Sequence, residues 1–166
     1  LLAEDMIEDN AELMIASADY EQRYNPELWQ EIIENLEIDG AIWTYRSTSK
    51  VLKNPEMFAY CQVEKDGISV SRIAEKQTIS DNPNFDPLVV GTFWYRRASD
   101  FKLAVKNLID NDIRINGEHY VGTSINYLIE KGKRFVIFDI SQWISFGNPL
   151  ELQILEYWQD FFQKEN

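Results

Sequence analysis

Cysteine and histidine occur once each in the 166 residues, at Cys61 and His119. No intrachain disulfide can form, and neither a thiolate metal site nor a multi-histidine zinc site can be assembled. A lone thiol fits a reducing compartment, and the chain is read as cytoplasmic. Basic residues are also scarce, with 16 Lys and Arg against 28 Asp and Glu, a formal net charge of −12 and a pI near 4.5. Nucleic-acid and anionic-membrane binders need clustered cations to displace counterions, so both classes are disfavoured. No apolar run approaches the roughly 20 residues of a membrane span; the run from Phe135 to Ile140 has the length of a strand. Internal repeats and low-complexity segments are absent as well.

What is present suits a folded domain. The chain is 45% hydrophobic and 13% aromatic, enough to fill one continuous core, and residues 1–166 are read as a single domain. The five tryptophans, at 29, 43, 94, 143 and 158, are expected to fill that core. Leu1 to Ile7 reads as the end of a helix without a preceding cap, which suggests a chain cut from a longer one. Glu12 to Ala16 has the pattern of a short buried strand ending at Ser17-Ala18-Asp19. Asn25-Pro26 supplies the cap and first-turn proline of a helix whose apolar side includes Leu28, Ile32 and Leu36. Residues 41–46, 57–64 and 68–74 are rich in strand formers, with Asp66-Gly67 as a hairpin turn.

Val89 to Tyr95 is nearly all apolar, as in a strand covered on both faces. Two amphipathic helices follow, one capped by Ser99 and carrying Phe101, Val105, Leu108 and Ile109, the other carrying Val121, Ile125, Leu128 and Ile129 up to Lys131-Gly132. After the buried strand 135–140, Asn148-Pro149-Leu150-Glu151 opens a last helix, with Leu155, Trp158 and Phe162 expected against the body. Strands separated by helices, with one hairpin among them, predict an α/β fold with a mixed, centrally parallel sheet flanked by helices.

Four segments carry more than pattern: Ala74-Glu75-Lys76; Val90-Gly91-Thr92-Phe93-Trp94-Tyr95-Arg96-Arg97; Asn116-Gly117-Glu118-His119-Tyr120-Val121; and Phe146-Gly147-Asn148-Pro149-Leu150-Glu151-Leu152. In this order and spacing they resemble the later part of the sugar-phosphate nucleotidyltransferase family. That resemblance implies a Rossmann-like, GT-A-related fold lacking its N-terminal part, and an enzyme that moves a nucleoside monophosphate from a nucleoside triphosphate onto a sugar 1-phosphate or related phosphate monoester. Its partners would be the triphosphate and the phosphorylated acceptor, its cofactor Mg²⁺, and its setting capsule or surface-polysaccharide synthesis. The family's glycine-rich basic loop, which holds the triphosphate, does not stand in this sequence. The isolated chain is therefore expected to be inactive, and a non-catalytic relative that binds a sugar phosphate or a partner is the alternative.

The resemblance assigns roles residue by residue. Asp19, which by itself reads as an acid capping the turn after a strand, would be the metal ligand, since Mg²⁺ takes hard oxygen donors. Glu75 would accept hydrogen bonds from acceptor hydroxyls and Lys76 would approach the phosphate, although Glu-Lys is also a common surface dipeptide. Tyr60 and Gly91 would line the acceptor pocket, where a glycine admits close approach of backbone. Glu118 and Tyr120 would contact the acceptor just before a helix, where an acid is also favoured by the dipole. His119 reads as a rim residue. The family's run Trp-x-Asp-x-Gly-Thr-Pro aligns with Trp143 to Pro149, and Ser145 stands where that run has its second metal-binding Asp.

Overall fold

The computed structural model describes residues 4–46 and 54–164. The first three residues of the expected N-terminal helix end lie outside that range; Glu4–Met6 is a single 3-10 turn. Strand β1 (Leu13–Ile15) is followed by β2 (Tyr20–Arg23), helix α1 (Pro26–Glu34) and β3 (Gly40–Tyr45). Next come β4 (Ala59–Val63), β5 (Val70–Glu75) and β6 (Leu88–Tyr95), then α2 (Ala98–Asp110) and α3 (Val121–Glu130). Strand β7 (Phe135–Asp139), β8 (Gln142–Ser145) and α4 (Pro149–Lys164) complete the order.

The main sheet runs β5-β4-β6-β3-β7, with β1 on the far end of β6. It is mixed, but its centre is antiparallel: β6 opposes β1, β3 and β4, and β3 with β7 is the parallel pair. The expectation of a parallel centre is corrected by the connections. Between β6 and β7 the chain makes two helices instead of one, so it enters β7 running opposite to β6, and β3 lies between them.

Alternation along the strands explains the apolar runs. Ala41 and Trp43 face one layer, with Trp29 and Ile38 from the α1 side, while Ile42 faces the other, with Phe101, Ala104, Ile125 and Leu128 from α2 and α3. Three layers result, with the sheet in the middle. Gly40 lets β3 fit between its neighbours: a Cβ there would lie 2.3 Å from the Phe135 ring and 2.7 Å from the Trp94 carbonyl oxygen. The outer edge of β5 is closed by a side chain, since Asn126 accepts from Ile73 N at 2.7 Å and donates to Ile73 O at 2.9 Å, as a neighbouring strand would.

Local signals decide several boundaries. Asn25 Oδ1 accepts from the amides of Glu27 and Leu28, and Asn148 Oδ1 from that of Glu151. The buried face of α1 is Trp29 with Ile32 and Ile33; Leu28 and Leu36 are exposed. Helix α2 starts before Ser99, because the amides of Ala98 and Ser99 donate to the carbonyls of Ala11 and Asp9 at 2.8 and 2.9 Å. On α4, Leu155 is half-buried, whereas Trp158 and Phe162 are largely exposed and stack with each other at 6.0 Å. Of the tryptophans, 29, 43 and 94 are core; Trp143 and Trp158 are not. Among the described residues, no helix is long and apolar enough to cross a membrane.

Candidate functional site

An open cavity of about 980 Å³ lies where β1, β5 and β6 meet the start of α3. Its construction begins at Gly91, whose φ of +79° interrupts β6. The register between β3 and β6 shifts there, so two residues of β3 span four of β6. This bulge turns the Gly91 carbonyl toward the loop after β1, where it accepts from Ser17 N at 3.0 Å. A Cβ on Gly91 would meet Ser17 Oγ at 3.1 Å and Ser17 Cβ at 3.3 Å. Glycine thus sets the wall formed by Ile15, Ala16 and Ser17.

Strand β5 supplies the charged wall. Consecutive strand residues point to opposite faces, yet Glu75 and Lys76 both line the cavity. The reason is a left-handed turn at Lys76, φ +54°, which swings its side chain back beside that of Glu75. Lys76 Nζ donates to the Met57 carbonyl and lies over the Tyr120 ring, 5.4 Å from its centroid. The Glu75 carboxylate sits against the first turn of α3, and Gly122 makes room for it: a Cβ there would be 3.0 Å from Oε2. No hydrogen bond to that carboxylate occurs among the described residues. Burial raises its pKa above the ordinary 4.5, with Lys76 opposing.

The third wall comes from a ribbon that sequence periodicity did not reveal. Strands β2 and β8 pair antiparallel, placing Tyr20 opposite Ser145. Trp143 packs against Tyr20 with centroids 5.0 Å apart and against Phe58 at 6.0 Å, and all three rings line the cavity. Asp19 precedes this ribbon. Its carbonyl accepts from Phe146 N at 3.1 Å, and its carboxylate rests on Gly147, where a Cβ would come within 2.7 Å of Oδ2. Ser145 Oγ donates to Glu151 Oε2 at 2.7 Å. Burial, then the charges of Asp19 and Glu151, raise the pKa of the Tyr20 phenol.

Of the sequence-assigned residues, Glu75, Lys76, Gly91 and Tyr120 come together on the cavity. Asp19 is not among the lining residues, although its chain neighbours Ser17 and Tyr20 are. Glu118 stands behind Tyr120, accepting a hydrogen bond from its phenol, which is thereby raised to about 12. Tyr60 does not belong to the site: its side chain is fully buried among Trp43, Leu88 and Val90, and its hydroxyl donates to the Pro55 carbonyl at 2.9 Å. Cys61 is equally buried, which pushes its thiol pKa far up and leaves it chemically inert. His119 lines the cavity, with Nδ1 2.8 Å from the Ile113 carbonyl oxygen. Sequence reasoning missed Tyr20, Phe58 and Trp143 as cavity residues, and Glu151 as the partner of Ser145.

A protein-only metal cage is absent: among the described residues no three His, Cys, Asp or Glu side chains are grouped to hold an ion. Mg²⁺ does not require one, because it commonly takes one or two carboxylates and completes its shell with water and substrate phosphates. No hydrogen bond or ion pair engages the Asp19 carboxylate among the described residues, and it rests against Gly147, where no side chain covers it.

No protein-family model matches the chain, and no curated protein matches it. Solved structures do. A nucleoside-diphosphate-sugar pyrophosphorylase from Vibrio cholerae RC9 matches over 92% of this chain and 58% of its own, with a TM-score of 0.64 and 21% identity. A Bacillus anthracis protein assigned as a glucose-1-phosphate thymidylyltransferase, in complex with sucrose, matches over 92% and 55%, with a TM-score of 0.62 and 18% identity. The inositol-1-phosphate CTP transferase of T. maritima matches over 90% and 54%, with a TM-score of 0.61 and 13% identity. The chain spans little more than half the length of each, and over that span it has the α/β nucleotidyltransferase fold.

Proposed function

We propose that this chain is the acceptor- and metal-binding portion of a nucleotidyltransferase. One observation supports the reading most: Glu75, Lys76, Gly91 and Tyr120, drawn from three separate stretches of sequence, line a single cavity together with Ser17 and Tyr20, which flank Asp19 in the chain. In the reaction, an oxygen of the acceptor phosphate attacks the α-phosphorus of a nucleoside triphosphate. A new P–O bond forms to that oxygen while the α–β bridging P–O bond breaks, and pyrophosphate leaves with the electron pair. The phosphate nucleophile is already ionised at neutral pH, so no protein base is needed and the chain's task is placement. Lys76 supplies a point charge for the acceptor phosphate, and Glu75 takes hydrogen bonds or positive charge from the other end. Asp19 would hold Mg²⁺, which when bound brings phosphates together and offsets their charge. Nucleotide binding is assigned to chain beyond these residues.

The test is calorimetry of this chain with a panel of hexose 1-phosphates and phosphocholine. Weak binding is expected, reduced by about 1–3 kcal/mol in Glu75→Ala and in Lys76→Ala. Binding indifferent to both substitutions would show that the acceptor sits elsewhere.

One observation favours a second reading, a non-catalytic binder of phosphorylated small molecules. Ser145 replaces a carboxylate and spends its hydroxyl on Glu151. Acceptor binding in the full-length protein without Mg²⁺-dependent turnover would select this reading.

A further inference from the structure

The cavity's walls bear on which acceptor it takes. Resting on the proposed function, we infer that the acceptor is a phosphate monoester whose other end is an alkylated ammonium group, held by the aromatic walls and the Glu75 carboxylate.

Three features carry this. Tyr20, Phe58, Tyr120 and Trp143 all line the cavity, and Trp143 touches both Tyr20 and Phe58. Ring faces attract cations through their quadrupole, and trimethylated ammonium groups are bound by such clusters. Second, the cavity already holds one ammonium in this way: Lys76 Nζ rests over the Tyr120 ring. Third, the Glu75 carboxylate is in the wall beside Lys76 and has no hydrogen bond among the described residues. An alkylated ammonium brings apolar methyl groups and a diffuse positive charge, matching apolar walls and a wall carboxylate together.

A hexose asks for something else. Each ring hydroxyl needs a hydrogen-bonding partner when it leaves water. Ile15, Ala16, Ala59, Val89, Phe93 and Val121 offer none through their side chains, which leaves Ser17, Tyr20, Asn54, Glu75, Lys76 and His119 on the walls, with Tyr120 and Trp143. The Tyr120 hydroxyl is committed to Glu118. The Trp143 indole N–H is buried and has no partner, so it is not presented as a donor to a ligand.

The experiment is a ¹H–¹⁵N NMR titration of this chain, following the Trp143 indole signal, with choline, phosphocholine, 3,3-dimethylbutan-1-ol and glucose 1-phosphate. The alcohol has the shape of choline without its charge. Choline is expected to bind roughly two- to thirty-fold more tightly than the alcohol, the range for a ring-held cation. Tyr20→Leu should reduce choline binding by a similar factor, whereas Tyr20→Phe, which keeps the ring and the packing against Trp143, should leave it within about twofold. Glu75→Gln should weaken choline and leave the alcohol unchanged. Equal binding of choline and the alcohol, glucose 1-phosphate binding in preference to phosphocholine, or no binding of either choline compound would each overturn the inference. Phosphocholine binding no tighter than choline would uphold the cation site and instead count against the nucleotidyltransferase reading, since the phosphate would then go unrecognised.

Discussion

Replacing Gly91 by alanine should damage both stability and the cavity, and the structure separates the two causes. The first cause is backbone. At φ +79° an L side chain is strained, at a cost of about 1–2 kcal/mol. The second is contact, because the new Cβ would lie 3.1 Å from Ser17 Oγ and 3.3 Å from Ser17 Cβ. Rotating Ser17 moves its Oγ away but not its Cβ, and its amide is tied to the Gly91 carbonyl. The loop carrying Ala16 and Ser17 must therefore shift outward by a few tenths of an ångström. Together the two effects give about 1–3 kcal/mol, or a fall in Tm of roughly 2–12 °C for a chain of this size. Gly67 provides the control: its φ is +78°, but nothing lies within 4 Å of an added Cβ, so Gly67→Ala shows the backbone effect alone. Thermal and urea unfolding of both variants, with acceptor titrations alongside, would measure the difference. A Gly91→Ala chain no less stable than Gly67→Ala, or one that binds acceptor as the parent does, would refute the contact with Ser17 as a cause.

Other substitutions test neighbouring parts of the account. Glu75 holds its proton more tightly in the folded chain than in the unfolded one, so its contribution to stability is full below about pH 4.5 and is lost as pH rises through the raised folded value. Glu75→Gln should therefore have a higher Tm than the parent at neutral pH while binding acceptor less well; a Tm difference that does not change between pH 4 and pH 8 would contradict this. Asn126→Ala removes both hydrogen bonds at Ile73 and should cost about 1–3 kcal/mol in urea unfolding, with a weakened cavity because β5 carries Glu75. Gly147→Ala would place a Cβ 2.7 Å from Asp19 Oδ2 and should turn that carboxylate aside, lowering Mg²⁺ dependence in the full-length protein without changing any charge.

Local chemistry made much of the fold legible. Asn25 and Asn148 are helix caps because their side chains compete well for first-turn amides, and that needs no distant partner. Asp66 accepts from Ile68 and Ser69 amides and fixes the hairpin in the same local way. The start of α2 was misread because its first amides are satisfied by Asp9 and Ala11, close to ninety residues earlier in the chain, which no window around Ser99 contains. The ribbon of β2 and β8 was missed for a related reason. Each strand has four residues, the polar Glu21, Gln22 and Arg23 give β2 no apolar period, and the partners are more than a hundred residues apart. With the ribbon went Tyr20 and Trp143 as cavity walls. Family resemblance supplied Glu75, Lys76, Gly91 and Tyr120, but not the reason that Glu75 and Lys76 face the same way, which is the left-handed turn at Lys76. Tyr60 was misplaced because alternation in β4 sends it into the apolar layer that holds Trp29 and Trp43.

The central claim is that these residues serve nucleotidyl transfer, and pyrophosphate release measures it most directly. The full-length protein from the complete reading frame should release pyrophosphate from a nucleoside triphosphate when Mg²⁺ and a phosphorylated acceptor are both present. Asp19→Asn, which removes a ligand charge and preserves shape, should abolish most of that release and leave Tm nearly unchanged, while the isolated 166-residue chain should release none. Asp19→Asn turnover equal to that of the parent, with the same Mg²⁺ dependence, would contradict the account.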